Sequence, residues 1–198
     1  YKQWVFRYTF LELEKDLGLY GDVTSDVLFG DSQYTTFKVV SRTNGILAGR
    51  QEIEYFLMHS DSNLRPRLIG NIDVRFLVDD GAGFGVGDTI AEIYGDIRDL
   101  LAVERTVLNL LNRMSNVATS TACTVDIVKD YDCLVVPTRK TLWGLLDKRG
   151  CSLGGAGTHR LSLSDAILVK DTHLDSGGRD FAEAFRKIED SKPDVRFV

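Results

Sequence analysis

The stretch that decides the fold runs from Thr138 to His173 and reads TRKTLWGLLDKRGCSLGGAGTHRLSLSDAILVKDTH. The apolar segment CLVVP (133–137) precedes it, and a second apolar segment, AILVKD (166–171), lies inside it. We predict that both are strands, the first of them buried. Between them, LWGLLDKRG (142–150) predicts a helix that ends at Gly150. Strand–helix alternation of this kind predicts parallel strands in an α/β sheet or barrel.

The same stretch is positively charged in an acidic protein. It holds six basic and three acidic residues, whereas the formal net charge of the 198-residue chain is −5. Lys148 and Arg149 come late in the predicted helix, where cations complement the helix dipole, so we interpret them as solvated surface cations. Four other cations are not explained in this way: Arg139, Lys140, Arg160 and Lys170.

These cations follow the predicted strands at their carboxyl ends. A Thr-Arg-Lys segment (138–140) comes directly after the first strand, and Lys170 ends the second. Ligands of α/β folds bind at this edge because the loops there converge on one crevice. The loop between the strands adds His159 and Arg160. The pattern therefore predicts an anion-binding pocket, although it does not name the anion.

Two glycine-rich segments have different interpretations. GAGFGVG (81–87) lacks the GxGxxG spacing of a dinucleotide-binding loop and precedes a strand-like segment, so it predicts a turn between strands. GGAG (154–157) either forms a turn or lets the backbone approach a ligand held by the following residues. The sequence favours neither interpretation of GGAG.

Upstream of residue 97 the pattern predicts a small α+β domain, residues 1–96. Asn44-Gly45 predicts a tight hairpin between two strands of YTTFKVVSRTNGILAG (34–49). Alternating apolar and polar residues predict a half-buried strand in NIDVRFLVDDG. The other elements follow from helical spacing or strand composition. The predicted helices and further strands are residues 3–18 (helix), 50–59 (helix), 71–81 (strand) and 88–96 (strand).

Residues 97–198 form the second predicted domain, an α/β barrel. It opens with apolar residues at helical spacing (97–130), for which Ser115-Asn116 predicts a break. The alternation continues with a helix in RDFAEAFRKIEDS (179–191) and a strand that begins in DVRFV (194–198). The chain stops inside this last strand, and a barrel needs more strands than the sequence holds. We therefore expect the barrel to be truncated at its C-terminal side, with its far half absent.

Composition excludes several classes of partner. No apolar run reaches the length of a membrane span, and the N-terminus lacks the apolar block of a signal peptide. With a pI near 5.2 and no basic tail, nucleic acid is not an expected partner. Cys123, Cys133 and Cys151 form no CxxC pair and no zinc-ligand spacing. The apolar neighbours of Cys133 and Cys151 predict buried thiols in a reducing, cytoplasmic compartment.

Four segments together resemble the quinolinate phosphoribosyltransferase family: YGDVTS (20–25), ERTVLNLLNRMSNVAT (104–119), TRKT (138–141) and GGAGTHRLSLSDAILVKDTHL (154–174). They occur in the order and spacing of that family. The resemblance implies an N-terminal α+β sandwich domain followed by an open, TIM-like α/β barrel in a homodimer. The implied reaction joins quinolinate to phosphoribosyl pyrophosphate and gives nicotinate mononucleotide, carbon dioxide and pyrophosphate. Mg²⁺ would be bound mainly through the pyrophosphate of the donor.

The resemblance also implies roles for the cations. Arg139, Arg160 and His159 would hold the two carboxylates of quinolinate. Lys140 and Lys170 would face the carboxylates and the phosphates of the donor, and these two lysines are the expected catalytic residues. Drawing such anions out of water is unfavourable unless fixed cations replace the lost hydration. Arginine suits this task because its planar fork matches a carboxylate.

Two more residues complete the implied substrate site. Thr138 would add a polar contact, and Arg105, in ERT, would reach the site of the neighbouring subunit. From the residues alone, Arg105 is equally a helix-surface arginine paired with a nearby acid. The acidic residues that serve ribose and metal in the family would lie beyond residue 198, so no residue of this chain is assigned as a metal ligand.

The chain departs from the family pattern at three places, and the departures at Leu142-Trp143 and Thr172 keep an alternative acceptor open. Thr172 stands where asparagine is usual, Asn116 where glycine is common, and Leu142-Trp143 where threonine-proline is frequent. One alternative is a relative of the same fold that acts on nicotinate, or on the acceptor of the molybdenum-operon paralogue. Another is a non-catalytic, dimeric module that binds dicarboxylates.

Overall fold

A computed structural model describes residues 1–58, 72–177, 180–191 and 196–197. The chain divides into two compact units, Tyr1–Gly157 and Thr158–Val198. The predicted domain boundary after residue 96 coincides with the end of a strand and the start of a long helix, and the division into domains there stays a prediction. Within the described ranges, no helix has the length and apolar character needed to cross a bilayer.

The first unit is built from short antiparallel strands and helices. Its elements in chain order are α1 (Lys2–Leu17), α2 (Val23–Leu28), β1 (Tyr34–Val40), β2 (Gly45–Ile46), α3 (Arg50–Met58), β3 (Asp73–Phe76), β4 (Gly83–Phe84), β5 (Thr89–Asp96), α4 (Ile97–Ile127) and α5 (Leu145–Leu153). One sheet has the order β1-β5-β3, and β2 pairs separately with β4. The helices predicted in 3–18 and 50–59 are confirmed as α1 and α3, although residue 59 lies outside the described residues.

The three-stranded sheet confirms two strand predictions. β5 pairs antiparallel with β1, with Tyr34 opposite Asp96, and β3 pairs with the other edge of β5. Along β3, exposed and half-buried residues alternate as the sequence predicts. The glycine-rich segment 81–87 is confirmed as a turn region around β4, with Gly81 and Gly87 at positive φ.

The long helix α4 has no break at Ser115-Asn116, so that prediction is wrong. Ser115 is buried, and its Oγ accepts a hydrogen bond from the Ala48 amide at 3.1 Å and donates one to the Ala48 carbonyl at 3.2 Å. The hydroxyl therefore joins α4 to the chain before α3 instead of competing with the helix backbone. The buried apolar stripe of α4 consists of Leu100, Val103, Val107, Leu110, Leu111, Met114 and Ala118.

The predicted hairpin at Asn44-Gly45 is also wrong. The strands before and after it belong to different sheets, because β1 pairs with β5 and β2 pairs with β4. Asn44 accepts a hydrogen bond from the Val86 amide at 3.1 Å through Oδ1. A Cβ on Gly45 would lie 2.8 Å from the ring of Phe84. Close packing, and not a tight turn, explains the glycine.

The segment 133–137 is not a buried strand. Within the described residues it is assigned to no strand, and Leu134 is 72% exposed. The Gly157 amide donates a hydrogen bond to the Val135 carbonyl at 2.9 Å. A strand requires a ladder of such bonds with a neighbouring strand, and no described neighbour supplies one here.

The helix α5 continues past Gly150, where the sequence predicted its end. A Cβ on Gly150 would lie 3.0 Å from the carbonyl oxygen of Met114, so the glycine lets α5 approach α4 closely. The helix ends instead at Leu153, and the Gly154 amide donates a hydrogen bond to the Gly150 carbonyl at 3.0 Å. The glycine is therefore a packing residue and not a helix terminator.

The cysteines are free thiols, but the prediction that they are buried is wrong for Cys133. Cys123 and Cys133 are exposed, and Cys151 is half-buried. Cys133 is exposed because the segment that carries it has no strand neighbour to cover it.

The second unit contains β6 (Ala166–Ile167), α6 (Asp171–Gly177), α7 (Phe181–Ser191) and β7 (Arg196–Phe197). β6 and β7 are parallel, with Ala166 opposite Arg196. This pair confirms the predicted parallel strands in AILVKD and DVRFV, and α7 confirms the helix predicted between them. The chain therefore has a mixed α/β fold.

A group of buried charged residues joins α3 to α5 in the first unit. Glu52 is 3% exposed, and its Oε1 accepts a hydrogen bond of 2.7 Å from the Tyr1 hydroxyl. Arg149 lies 3.7 Å from Glu52 and 3.8 Å from Asp80. Burial raises the pKa of Glu52, and the hydrogen bond from Tyr1 opposes this effect.

Glu52→Gln is expected to change how stability depends on pH. Because folding raises the pKa of Glu52, its contribution is fully present below the unfolded-state value of 4.5 and is lost as the pH rises. The free energy of unfolding of the variant minus that of wild type should therefore increase by more than ~0.5 kcal/mol between pH 4 and pH 7. Urea unfolding measures this difference. Glu14→Gln, on the exposed side of α1, is the control. Parallel curves for wild type and Glu52→Gln would refute the prediction.

Candidate anion-binding site

The Thr-Arg-Lys segment lies on the surface of the first unit. The side chains of Thr138, Arg139 and Lys140 are all exposed. The Lys140 amide donates a hydrogen bond of 3.1 Å to the Thr138 hydroxyl, a local turn in which a threonine side chain binds the backbone two residues further on. Two cationic side chains next to each other are therefore accessible to a ligand.

Lys148 and Arg149 are not solvated surface cations, so that interpretation is wrong. Lys148 is 3% exposed, and its Nζ donates a hydrogen bond to the Pro137 carbonyl at 3.1 Å. The side chain of Arg149 is 29% exposed and reaches Glu52 and Asp80. The face of α5 that carries these residues packs inward, and burial makes each cation bind a fixed acceptor.

Asp147, the residue before Lys148, anchors α5 to α4. Its two carboxylate oxygens accept hydrogen bonds from Nε and Nη2 of Arg113, both of 2.8 Å. The Trp143 amide donates to the same carboxylate at 3.1 Å. Although burial alone would raise the pKa of Asp147, the hydrogen bonds from Arg113 and Trp143 hold it below its usual value. Asp147 and Lys148 thus fix the chain on both sides of the Thr-Arg-Lys segment.

Asp147→Asn is expected to lower the free energy of unfolding at pH 7 by about 2 kcal/mol, because Arg113 loses its bidentate partner but remains partly solvated. The pKa of Asp147 is depressed on folding. Its contribution is therefore present above the unfolded-state value of 3.8 and is lost as the pH falls, so the difference from wild type should shrink in acid. Chemical unfolding at several pH values measures this.

The control for Asp147→Asn is Asp126→Asn, which removes an exposed ion pair with Lys129. Exposed pairs of this kind contribute less than ~1 kcal/mol. Equal losses in the two variants would show that the Asp147–Arg113 pair is no stronger than a surface pair.

In the second unit, His159 and Arg160 form an unusual neighbouring pair. His159 has a positive φ of 53°, which a residue with a side chain rarely adopts. Arg160 is 6% exposed, and its Nη1 donates to the Ala166 carbonyl at 3.3 Å. Among the described residues, Arg160 Nε and His159 Nδ1 are buried nitrogen atoms without a hydrogen-bond partner. Backbone strain and unpaired buried polar atoms are typical of functional sites.

Lys170 lies at the entrance to α6 and its side chain is exposed. Its amide donates a hydrogen bond of 3.2 Å to Nδ1 of His173. The sequence left open whether His173 makes a structural bond or contacts a ligand, and the geometry favours the structural bond. This contact fixes the backbone at Lys170 just beyond β6.

Arg105 lies on α4 and is mostly exposed, with 72% of its side chain accessible. Its Nε is 3.3 Å from Oδ2 of Asp16. Within this chain Arg105 is therefore paired with a nearby acid in the way that the sequence left open. Its predicted role at the site of a second subunit is not tested by this contact.

The predicted site residues fall into two groups. Thr138, Arg139 and Lys140 belong to the first unit, whereas His159, Arg160 and Lys170 belong to the second. The pocket that would unite the two groups stays a prediction. Sequence reasoning missed the buried positions of Asp147 and Lys148, and no apolar pattern within α5 marks them.

The fold and the site define a class of protein: a mixed α/β protein with an exposed Thr-Arg-Lys segment at residues 138–140. Residues 22–115 match the model of the quinolinate phosphoribosyl transferase N-terminal domain, and residues 117–196 match that of the C-terminal domain. The chain belongs to the quinolinate phosphoribosyltransferase family, which confirms the resemblance.

Relatives support the same assignment. A probable carboxylating nicotinate-nucleotide pyrophosphorylase of Bacillus subtilis is 36% identical over 83% of this chain, and the carboxylating nicotinate-nucleotide pyrophosphorylase of Mycobacterium leprae is 32% identical over 92%. The chain spans 54% and 63% of the length of these relatives. The solved nicotinate-nucleotide pyrophosphorylase of Francisella tularensis is 28% identical, with a TM-score of 0.79 over 100% of this chain and 67% of its own.

Proposed function

We propose that this protein is a quinolinate phosphoribosyltransferase. It would transfer the phosphoribosyl group of phosphoribosyl pyrophosphate to quinolinate with decarboxylation, giving nicotinate mononucleotide, carbon dioxide and pyrophosphate. Family membership and the names of the relatives support this proposal. The residues of this chain support it independently.

The observation that carries the proposal is the neighbouring pair of half-buried His159 and buried Arg160, each with a buried nitrogen atom that lacks a hydrogen-bond partner. A buried guanidinium with an unpaired Nε is unfavourable until an acceptor reaches it. A carboxylate supplies two acceptor oxygens in one plane, and arginine presents its donors in a matching fork. The same acceptor could satisfy the buried Nδ1 of His159 when that nitrogen carries a proton.

The exposed segment 138–140 would bind the negatively charged groups that His159 and Arg160 do not hold. Quinolinate carries two adjacent carboxylates, so one arginine cannot satisfy both. Arg139 would take a carboxylate through its own fork. Lys140 and Lys170 would act as point charges towards the carboxylates and the phosphates of the donor. The Thr138 hydroxyl already accepts a hydrogen bond from the backbone, and it would donate a hydrogen bond to the ligand.

The reaction needs positioning and fixed charge more than a protein nucleophile. The pyridine nitrogen attacks the anomeric carbon of ribose, the bond to pyrophosphate breaks, and the electron pair leaves with pyrophosphate. The bond to the 2-carboxylate then breaks, its electrons enter the pyridinium ring, and the carbon takes a proton from water. Cations held in place before the reaction stabilise the departing anion without reorganisation.

Mg²⁺ is part of the proposal as an ion brought by the donor's pyrophosphate. The described part of the chain contains no group of three or more His, Cys, Asp or Glu side chains that could hold a metal ion. These residues therefore do not fit a resident metal site, and the ion would arrive with the donor.

The finer architecture belongs to the same proposal. The parallel pair β6–β7 supports an open, TIM-like barrel of which this chain would hold one part. We also propose a homodimer, in which Arg105 exchanges its partly exposed contact with Asp16 for the ligand in the neighbouring subunit. The free cysteines support a reducing, cytoplasmic location.

Product analysis tests the proposed function. The full-length protein is incubated with phosphoribosyl pyrophosphate, Mg²⁺ and either quinolinate or nicotinate, and nicotinate mononucleotide is measured by chromatography. We expect product and carbon dioxide from quinolinate and no product from nicotinate. Product from nicotinate alone would show that nicotinate is the acceptor. The assignment of residues to a second carboxylate would then be wrong. Quinolinate binding without any pyrophosphate release would indicate a non-catalytic module.

A further inference from the structure

The buried side chain of Lys148 lies beneath the Thr-Arg-Lys segment. Its Nζ donates a hydrogen bond of 3.1 Å to the carbonyl of Pro137, the residue directly before Thr138. Lys148 is 3% exposed, so its ammonium group is not available to a ligand at the surface. The side chain therefore acts on the segment through the backbone.

The position of this bond matters because of the residue that accepts it. The ring of Pro137 fixes its own φ. A hydrogen bond to its carbonyl fixes the plane of the following peptide, and with it ψ. Both backbone angles of Pro137 are then set, which determines the direction in which Thr138 and Arg139 leave the core.

Neighbouring strands usually hold a segment that leads to a binding loop, and here the side chain of Lys148 holds residues 133–137. Residues 133–137 form no strand within the described part of the chain, although the Gly157 amide holds the Val135 carbonyl. On the other side of the segment, the Trp143 amide is held by Asp147. Consecutive residues of α5 thus anchor the chain before and after the exposed cations.

We propose that Lys148 is a positioning residue, which directs Arg139 and Lys140 towards the ligand by fixing the Pro137 carbonyl. This inference rests on the proposed function for the identity of the ligand. A displacement of about 1 Å in a binding group is enough to weaken binding and catalysis substantially. Lys148 touches no substrate, so it acts only through the positions of Arg139 and Lys140.

The test compares Lys148→Met with Arg149→Met in the full-length protein. Both variants remove a cation from the same turn of α5, but Arg149 reaches Glu52 and Asp80 instead of Pro137. In Lys148→Met we expect the KM for quinolinate to rise at least tenfold. In Arg149→Met we expect the KM to stay within twofold. Loss of folded protein alone lowers the apparent kcat and leaves KM unchanged, so a merely structural role is distinguished.

Hydrogen exchange gives a second readout that does not depend on the reaction. Backbone amides of residues 138–143 should exchange at least tenfold faster in Lys148→Met than in Arg149→Met. Should Lys148→Met not fold, Pro137→Ala frees φ of the residue whose carbonyl Lys148 holds, while Lys148 stays in place, and the KM for quinolinate should rise at least threefold.

Two results would overturn the inference: an unchanged KM in Lys148→Met, or equal exchange rates for residues 138–143 in the two methionine variants. A wild-type protein that makes no product from quinolinate would instead overturn the proposed function. In that case the exchange comparison alone decides whether Lys148 positions the segment.

Discussion

Gly154→Ala is expected to lower the free energy of unfolding by at least ~3 kcal/mol, because α5 meets α4 at this residue without space for a side chain. A Cβ at Gly154 would lie 2.3 Å from the carbonyl oxygen of Ala118 and 2.8 Å from Cβ of Thr121. Backbone atoms of a helix cannot move aside as the end of a flexible side chain can. The φ of Gly154 is −80°, so the cost arises from this overlap and not from backbone strain.

Thermal unfolding measures the effect of Gly154→Ala, which corresponds to a fall in Tm of roughly 6–12 °C for a protein of this size. Gly150→Ala should have a smaller effect, since its Cβ would meet the Met114 carbonyl oxygen at 3.0 Å. Gly30→Ala is the matched control, with no atom within 4 Å of the added carbon. A Gly154→Ala variant as stable as Gly30→Ala would contradict the close α4–α5 contact.

Elements with strong periodicity could be predicted from the sequence. The alternation around β3 and the apolar spacing of α4 each arise from one face of an element packing inward, and that face is visible in the order of residues. The positions of glycine and serine were misread for a common reason. Tertiary contacts with segments far away in sequence explain Gly45, Gly150 and Ser115. Local rules for turns and helix ends do not include those contacts.

The candidate site could be predicted in part. The exposed cations Arg139 and Lys140 were found because basic residues after an apolar segment stand out in an acidic chain. Lys148 was misread because its place late in a helix suggested a dipole effect, whereas its depth in the structure depends on how α5 rotates against α4. The unpaired nitrogen atoms of His159 and Arg160 required coordinates, since hydrogen-bond satisfaction is a property of three-dimensional neighbours.

Arg139→Ala is expected to weaken quinolinate binding at least ~100-fold, equivalent to about 2.7 kcal/mol, without loss of stability. Two charge-assisted hydrogen bonds from one guanidinium contribute roughly 1.5–3 kcal/mol each. Arg139 is exposed, so its removal should change the free energy of unfolding by less than ~0.5 kcal/mol. Isothermal titration with quinolinate measures the affinity, and thermal unfolding of the same samples measures the stability.

Two further variants make the Arg139 result specific. Arg139→Lys keeps the charge but loses the planar fork, so its affinity should lie between those of wild type and Arg139→Ala. Arg186→Ala removes an exposed arginine whose Nε bonds the Ala182 carbonyl of its own helix, and it should bind quinolinate like wild type. If Arg139→Ala also bound quinolinate like wild type, the exposed segment would not be the acceptor site. His159 and Arg160 would then have to bind the dicarboxylate without it.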